Sequence, residues 1–92
     1  MRLWVISYDI SGDTARGLAE KLLLANGDRV NFSVFECYLR AEQFELVRKA
    51  LASLIDPETD SIRCYPLCVW CEENMLLQGQ GRRSHYPSDW IF

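Results

Sequence analysis

No stretch of the 92-residue sequence approaches the roughly 20 consecutive apolar residues that a membrane-spanning helix needs. The N-terminal apolar stretch, Leu3 to Ile6, is also too short for the core of a secretory signal, so a cytoplasmic protein with no membrane association is expected. Positive charge is not in excess. Ten Lys and Arg against thirteen Asp and Glu leave a formal charge of −3, which excludes a surface that is everywhere a phosphate sponge and leaves room for a local basic site. Lysine is scarce: eight of the ten cations are arginines (2, 16, 29, 40, 48, 63, 82 and 83), whose planar fork suits phosphate and carboxylate better than an ammonium does. Histidine is scarcer still, with His85 alone. Cys64, Cys68 and Cys71 form C-x3-C-x2-C, a spacing that invites zinc, yet the only candidates for a fourth ligand, Cys37 and His85, stand at no helpful local spacing. The four cysteines are therefore expected as reduced, unmetallated and unpaired thiols, three of them small apolar residues on a strand.

What the chain does have is an ordinary globular composition, 49% apolar or aromatic and 25% charged, in a length that holds one core. Eleven aromatic residues are many to hide in so small a core, which points to self-association.

Residues 3 to 9, Leu-Trp-Val-Ile-Ser-Tyr-Asp, are rich in aromatic and β-branched types and read as a mostly buried strand that ends at Asp9. A helix over 14 to 26 follows, capped by Asp13 or Thr14, with Ala15, Leu18, Ala19, Leu22 and Leu23 on one face and Asn26-Gly27 as its stop. Residues 29 to 39 alternate without a helical period and exceed one strand in length, so two strands with a tight reversal near Asn31 to Ser33 are expected. The second helix, 41 to 55, buries Phe44, Val47, Leu51, Leu54 and Ile55, and ends at Asp56-Pro57. A last strand is predicted over Ser61 to Cys71, apolar on both faces and at an edge or bulged, because Pro66 cannot donate to a ladder.

Strand, helix, strand, strand, helix, strand is the βαββαβ order of an α+β, ferredoxin-like domain, here residues 1 to 79. Two helices cover one face of its sheet. The remainder, 80 to 92, reads as a polar loop and a tail, Trp90-Ile91-Phe92, expected to add a C-terminal strand to the sheet of a second copy in a homodimer.

Asp9 is the candidate for chemistry. Two copies brought together by a two-fold axis would converge two carboxylates, normal oxygen coordination for Mg²⁺ or Mn²⁺ with waters and phosphate, and such an ion polarises a phosphodiester. The plainer account is that Asp9 accepts backbone hydrogen bonds near the turn. Arg16 likewise reads either as a phosphate contact or as an i,i+4 partner of Glu20, and Arg29 either as a contact or as a strand flank. Arg82 and Arg83 read as a solvated loop or a phosphate clamp, and Tyr8 and Phe35 as packing residues.

Tyr8-Asp9-Ile10, Arg16, Gly27-Asp28-Arg29-Val30, Ser33-Val34-Phe35-Glu36-Cys37 and Asp60-Ser61-Ile62-Arg63-Cys64-Tyr65 resemble the small CRISPR-associated protein family Cas two, over about residues 3 to 79. The resemblance implies a homodimer of ferredoxin-like domains whose C-terminal strand crosses to its partner. It also implies two roles: a metal-dependent nuclease on single-stranded RNA or double-stranded DNA, and a non-catalytic centre of the spacer-capturing complex with the Cas one integrase. On it, Asp9 is the catalytic and metal-binding residue, and Tyr8, Arg16, Arg29 and Phe35 match positions linked to activity. Leu18 stands where some relatives carry a second arginine. The alternative is a toxin-like metal-dependent endoribonuclease outside any integration complex. A small-ligand regulatory module is a weaker alternative, since no ligand-pocket signature is visible.

Overall fold

A computed structural model describes residues 1–81 and residue 84. Strand β1 (Arg2–Asp9) leads into helix α1 (Asp13–Asn26), the hairpin β2 (Asp28–Asn31) and β3 (Val34–Leu39), helix α2 (Ala41–Leu54), strand β4 (Ser61–Leu67) and a short helix α3 (Val69–Glu73). The sheet order is β2-β3-β1-β4, with every neighbouring pair antiparallel, so each helix carries the chain across an intervening strand. This is the ferredoxin-like α+β arrangement that the element order predicts.

Side-chain alternation in β1 sends Ile6 and Tyr8 toward the helices, where they join Ala19 and Leu23 of α1, Phe35, Cys37 and Leu39 of β3, and Val47 and Leu51 of α2 in one buried cluster. Trp4, on the same face, stacks on Phe44 of α2 with ring centroids 3.7 Å apart. Leu3, Val5, Ser7 and Asp9 face the other way, onto a sheet surface that neither long helix covers. Part of that outer face is occupied by the chain itself: the Tyr38 hydroxyl donates to Glu72 of α3, and Leu3, which sits opposite Tyr38, is fully buried.

The reversal near Asn31 to Ser33 is present, with a register shift between Arg29 and Asn31, although no Asn-Gly or Asp-Gly marks it. Gly27 ends α1 in an extended conformation and presses against β3. Pro66 lies on β4, which pairs with β1 alone and so is an edge, as a proline in a strand requires.

Several expectations are corrected. The last strand stops at Leu67, and Cys68 to Cys71 form the start of α3, so Cys68 and Cys71 are exposed helix-start residues rather than strand residues. Arg63 and Tyr65 are exposed, so β4 is not buried on both faces of the single chain. The N-cap of α1 is Gly12, with no side-chain cap; Asp13 turns instead to Arg16. Leu18 points away from the core and is 46% exposed. The Arg16–Glu20 pair does not form, because Glu20 is taken by Arg29 across the gap from α1 to β2. The Trp90–Phe92 tail and its predicted strand lie outside the described residues.

Candidate nucleic-acid and metal site

The carboxyl end of β1 and the loop that follows it concentrate polar groups. Asp9 closes the strand opposite Ser61 of β4, is exposed, and by alternation stands on the outer sheet face with Ser7. Among the described residues no hydrogen bond or ion pair occupies its carboxylate. The bland account of Asp9 as an acceptor of backbone hydrogen bonds therefore finds no bond to rest on.

The loop is held by its neighbours. The Arg16 guanidinium donates to the Ile10 carbonyl at 3.0 Å and the Ser11 carbonyl at 3.5 Å and pairs with Asp13, tying the first turn of α1 back to the residue after Asp9. From the other side, one Asp60 oxygen accepts from the Ser11 amide and hydroxyl, both at 3.1 Å, and the other accepts from the Asp56 amide at 2.9 Å. Asp60 thus ties the β1–α1 loop to the α2–β4 loop. Sequence reasoning met it in the run Asp60 to Tyr65 that carries the family resemblance and gave it no role of its own, because its partner Ser11 lies 49 residues away.

The amides of Asp56 and Ser11, reinforced by the hydroxyls of Thr59 and Ser11, hold the Asp60 carboxyl below its ordinary range. A carboxyl lowered in the folded state contributes stability that is complete above its unfolded value and disappears as pH falls through the folded one. Denaturant melts are accordingly expected to lose stability on acidification below about pH 4. Asp60→Asn should flatten that acid limb; an unchanged pH profile in the variant overturns the assignment.

Tyr8 and Phe35 lie on the helix-facing side of the sheet, 7% and 0% exposed, with their rings 6.1 Å apart. Arg29 sits over the Phe35 ring at 5.4 Å and bonds Glu20 at 2.8 Å, its side chain 39% exposed. Tyr8, Phe35 and Arg29 therefore form a connected row behind the sheet, while Asp9 stands in front of it. Arg16 reaches the loop between the two. Arg82 and Arg83 lie outside the described residues. Arg63, not singled out in the sequence as a site residue, is a further exposed cation on Asp9's own face, opposite Ser7, with its guanidinium 3.5 Å from the Tyr65 hydroxyl. Its signal in the sequence was the period-two placement of Arg63 and Tyr65 on one side of β4.

Among the described residues no group of three or more His, Cys, Asp and Glu converges on a metal position. Of the two candidates for a fourth zinc ligand, Cys37 is buried in the core and His85 lies outside the described residues. One free, exposed carboxylate suits a hard cation that takes most of its oxygens from water and phosphate, and a second copy of the chain would double it. Asp9 fits such an ion as half of a site.

The profile of the family described as CRISPR associated protein Cas2 matches residues 1–75. A relative from Chloroflexus aurantiacus, named CRISPR-associated endoribonuclease Cas2 3, is 39% identical over 95% of this chain and 94% of its own length. One from Thermus thermophilus, named CRISPR-associated endonuclease Cas2 2, is 42% identical over 72% of this chain and 73% of its own. Among solved structures, Streptococcus pyogenes Cas2 superposes with a TM-score of 0.71 at 32% identity, covering 83% of this chain and 99% of that one.

Proposed function

The chain belongs to the CRISPR-associated Cas2 family, and on that footing we propose that it is a CRISPR adaptation protein: a cytoplasmic homodimer that binds duplex nucleic acid and scaffolds spacer integration with a Cas1 integrase. The observation that carries the proposal is the outer sheet face, uncovered by either long helix, with the exposed Asp9 carboxylate, unengaged among the described residues, at its rim. A second copy laid on that face covers its apolar residues and brings a second Asp9 alongside the first. The segment 80–92 then completes the partner's sheet.

Binding falls to the arginines. Arg16 stands beside the loop, half exposed, and Arg29 is held in place by Glu20 and the Phe35 ring, so both present guanidinium groups without first having to be ordered. Arg82 and Arg83 are proposed as further phosphate contacts. These groups grip phosphate and carry no sequence information.

A weak Mg²⁺-dependent endonuclease activity on RNA or DNA belongs to the same proposal, with Mn²⁺ as the other candidate ion and Asp9 of each copy as the protein ligand. When bound, such an ion supplies positive charge against a phosphodiester and acidifies a water. The chain's own part is to hold Asp9 rigidly at a strand end, through the Arg16 and Asp60 anchors of the adjoining loop. Tyr8 and Phe35 support that strand from behind.

Sedimentation at micromolar concentration is expected to give twice 10.7 kDa. Duplex affinity should fall steeply with salt and depend little on sequence, since each neutralised phosphate releases condensed counterions. Arg16→Ala or Arg29→Ala, each confirmed folded, should weaken binding to all duplexes alike and reduce the salt slope by about 1. Indifference to salt or strong sequence preference overturns the scaffold. Failure to retain Cas1 in a pull-down, with RNA cleavage intact, selects the toxin-like endoribonuclease instead.

A further inference from the structure

Three of the four cysteines lie near the junction where β4 leaves the sheet, and the fold sorts them sharply. Cys64 is half-buried against the core, whereas Cys68 and Cys71 are exposed and face each other, with sulfurs 3.4 Å apart. Residues three apart at the start of a helical turn lie on one side of it, so the backbone brings the two side chains together. The Cys71 amide also points at the Cys68 sulfur, at 3.5 Å. Nothing in the nucleic-acid site uses either thiol.

We propose that Cys68 and Cys71 are a thiol–disulfide exchange site that reacts with low-molecular-weight disulfides of the glutathione class and closes to an intramolecular disulfide. Cys68 is the attacking sulfur. It accepts a hydrogen bond from the Cys71 amide, which with the adjoining Cys71 thiol favours its thiolate, while the same contact pushes the Cys71 thiol the other way. The Cys68 thiolate attacks one sulfur of the small disulfide, a mixed disulfide forms, and one small thiolate leaves and takes up a proton. Cys71 then loses its proton and its thiolate attacks the Cys68 sulfur, expelling the second small thiol. Two electrons pass from the protein dithiol to the small disulfide, which leaves as two thiols.

The chemistry is confined to this pair by burial. Burial, with the neighbouring Asp28 charge adding to it, pushes the Cys37 thiol up to about 12, so Cys37 stays protonated and out of reach, and burial likewise raises Cys64. The disulfide closes a small ring. A gap of 3.4 Å has to shorten to a bond of about 2 Å, a movement within the reach of two exposed side chains. The site also lies at a junction that matters, since α3 is anchored to the sheet through Glu72 and Tyr38 and leads directly into the C-terminal segment.

The test uses the full-length protein in buffers of reduced and oxidised glutathione, with quantitative alkylation and peptide mass spectrometry. Oxidation should remove two of the four thiols per chain, both from the peptide that carries Cys68 and Cys71. Cys71→Ser should accumulate glutathione on Cys68, and Cys68→Ser should slow the first step by roughly tenfold while leaving the fold intact by circular dichroism. The proposal is overturned by equal rates at the two positions, by a disulfide between chains as the main product, or by four free thiols in the fully oxidised buffer. Because each readout is chemical, it is independent of whether the chain binds duplex or Cas1.

Discussion

Asp9→Asn is expected to abolish Mg²⁺-dependent phosphodiester cleavage, reducing it to the level seen in chelator, while the fold, the dimer and spacer capture persist. The substitution removes one formal charge per subunit at nearly constant volume. Asp9 is exposed, and no hydrogen bond or ion pair among the described residues engages its carboxylate, so little of the folded state depends on its charge. A hard cation, by contrast, depends on that charge, since the amide oxygen left behind is neutral. Scaffolding needs the surface and the arginines rather than the metal. Cleavage and integration assays run side by side, in Mg²⁺ and in chelator, on both proteins decide the matter. Cleavage that survives in chelator or in the variant removes the metal from Asp9. Integration lost with the dimer intact gives Asp9 a further role.

Gly27→Ala is expected to cost about 3 kcal/mol or more, the upper end of what overpacking a core usually costs. A Cβ at this position would stand 2.3 Å from the Glu36 carbonyl oxygen, 2.5 Å from the Cys37 sulfur and 2.9 Å from the Cys37 Cα. Two of those three atoms are backbone of β3, a strand bonded on both sides, so they have no room to yield. The requirement is space and not conformation, because Gly27 has a φ of −174°, which any residue adopts. Against a total stability of about 5–15 kcal/mol such a loss is large, and with each kcal/mol worth about 4–8 °C the melting temperature should fall by more than about 10 °C. A melting curve that superposes on the wild type overturns the assignment. Gly12, which has open space around its Cβ position, is the matched control: Gly12→Ala should meet no steric penalty.

Much of this molecule was legible because its elements are long and periodic. The apolar face of α2, that of α1 except for Leu18, and the alternation of β1 and β3 follow from spacing alone, and so does the edge position that Pro66 imposes on β4. What could not be read depended on partners far away in the chain or on runs too short to show a period. Glu20 lies one turn from Arg16, yet it bonds Arg29, and no local spacing distinguishes the two outcomes. Asp60 looks like one more turn residue until Ser11 is brought to it. Cys68 to Cys71 continues the apolar run of β4 well enough to pass for strand, but the chain leaves the sheet after Leu67 and coils into α3 instead. The position of Asp9 at a strand end was plain from residues 3 to 9, whereas its separation from Tyr8 and Phe35 on opposite faces of the sheet follows only from the packing of the helices.

The two rims of the sheet have a consequence for the cell. One rim is β2, four residues long and broken by a register shift, and the other is β4, interrupted by Pro66. A long, flat, regular edge invites strand after strand and grows into filaments, whereas short, bulged or proline-bearing edges accept at most one brief, well-matched strand and then stop. Among the described residues, neither rim of this sheet offers the long regular edge from which strand-by-strand growth would start.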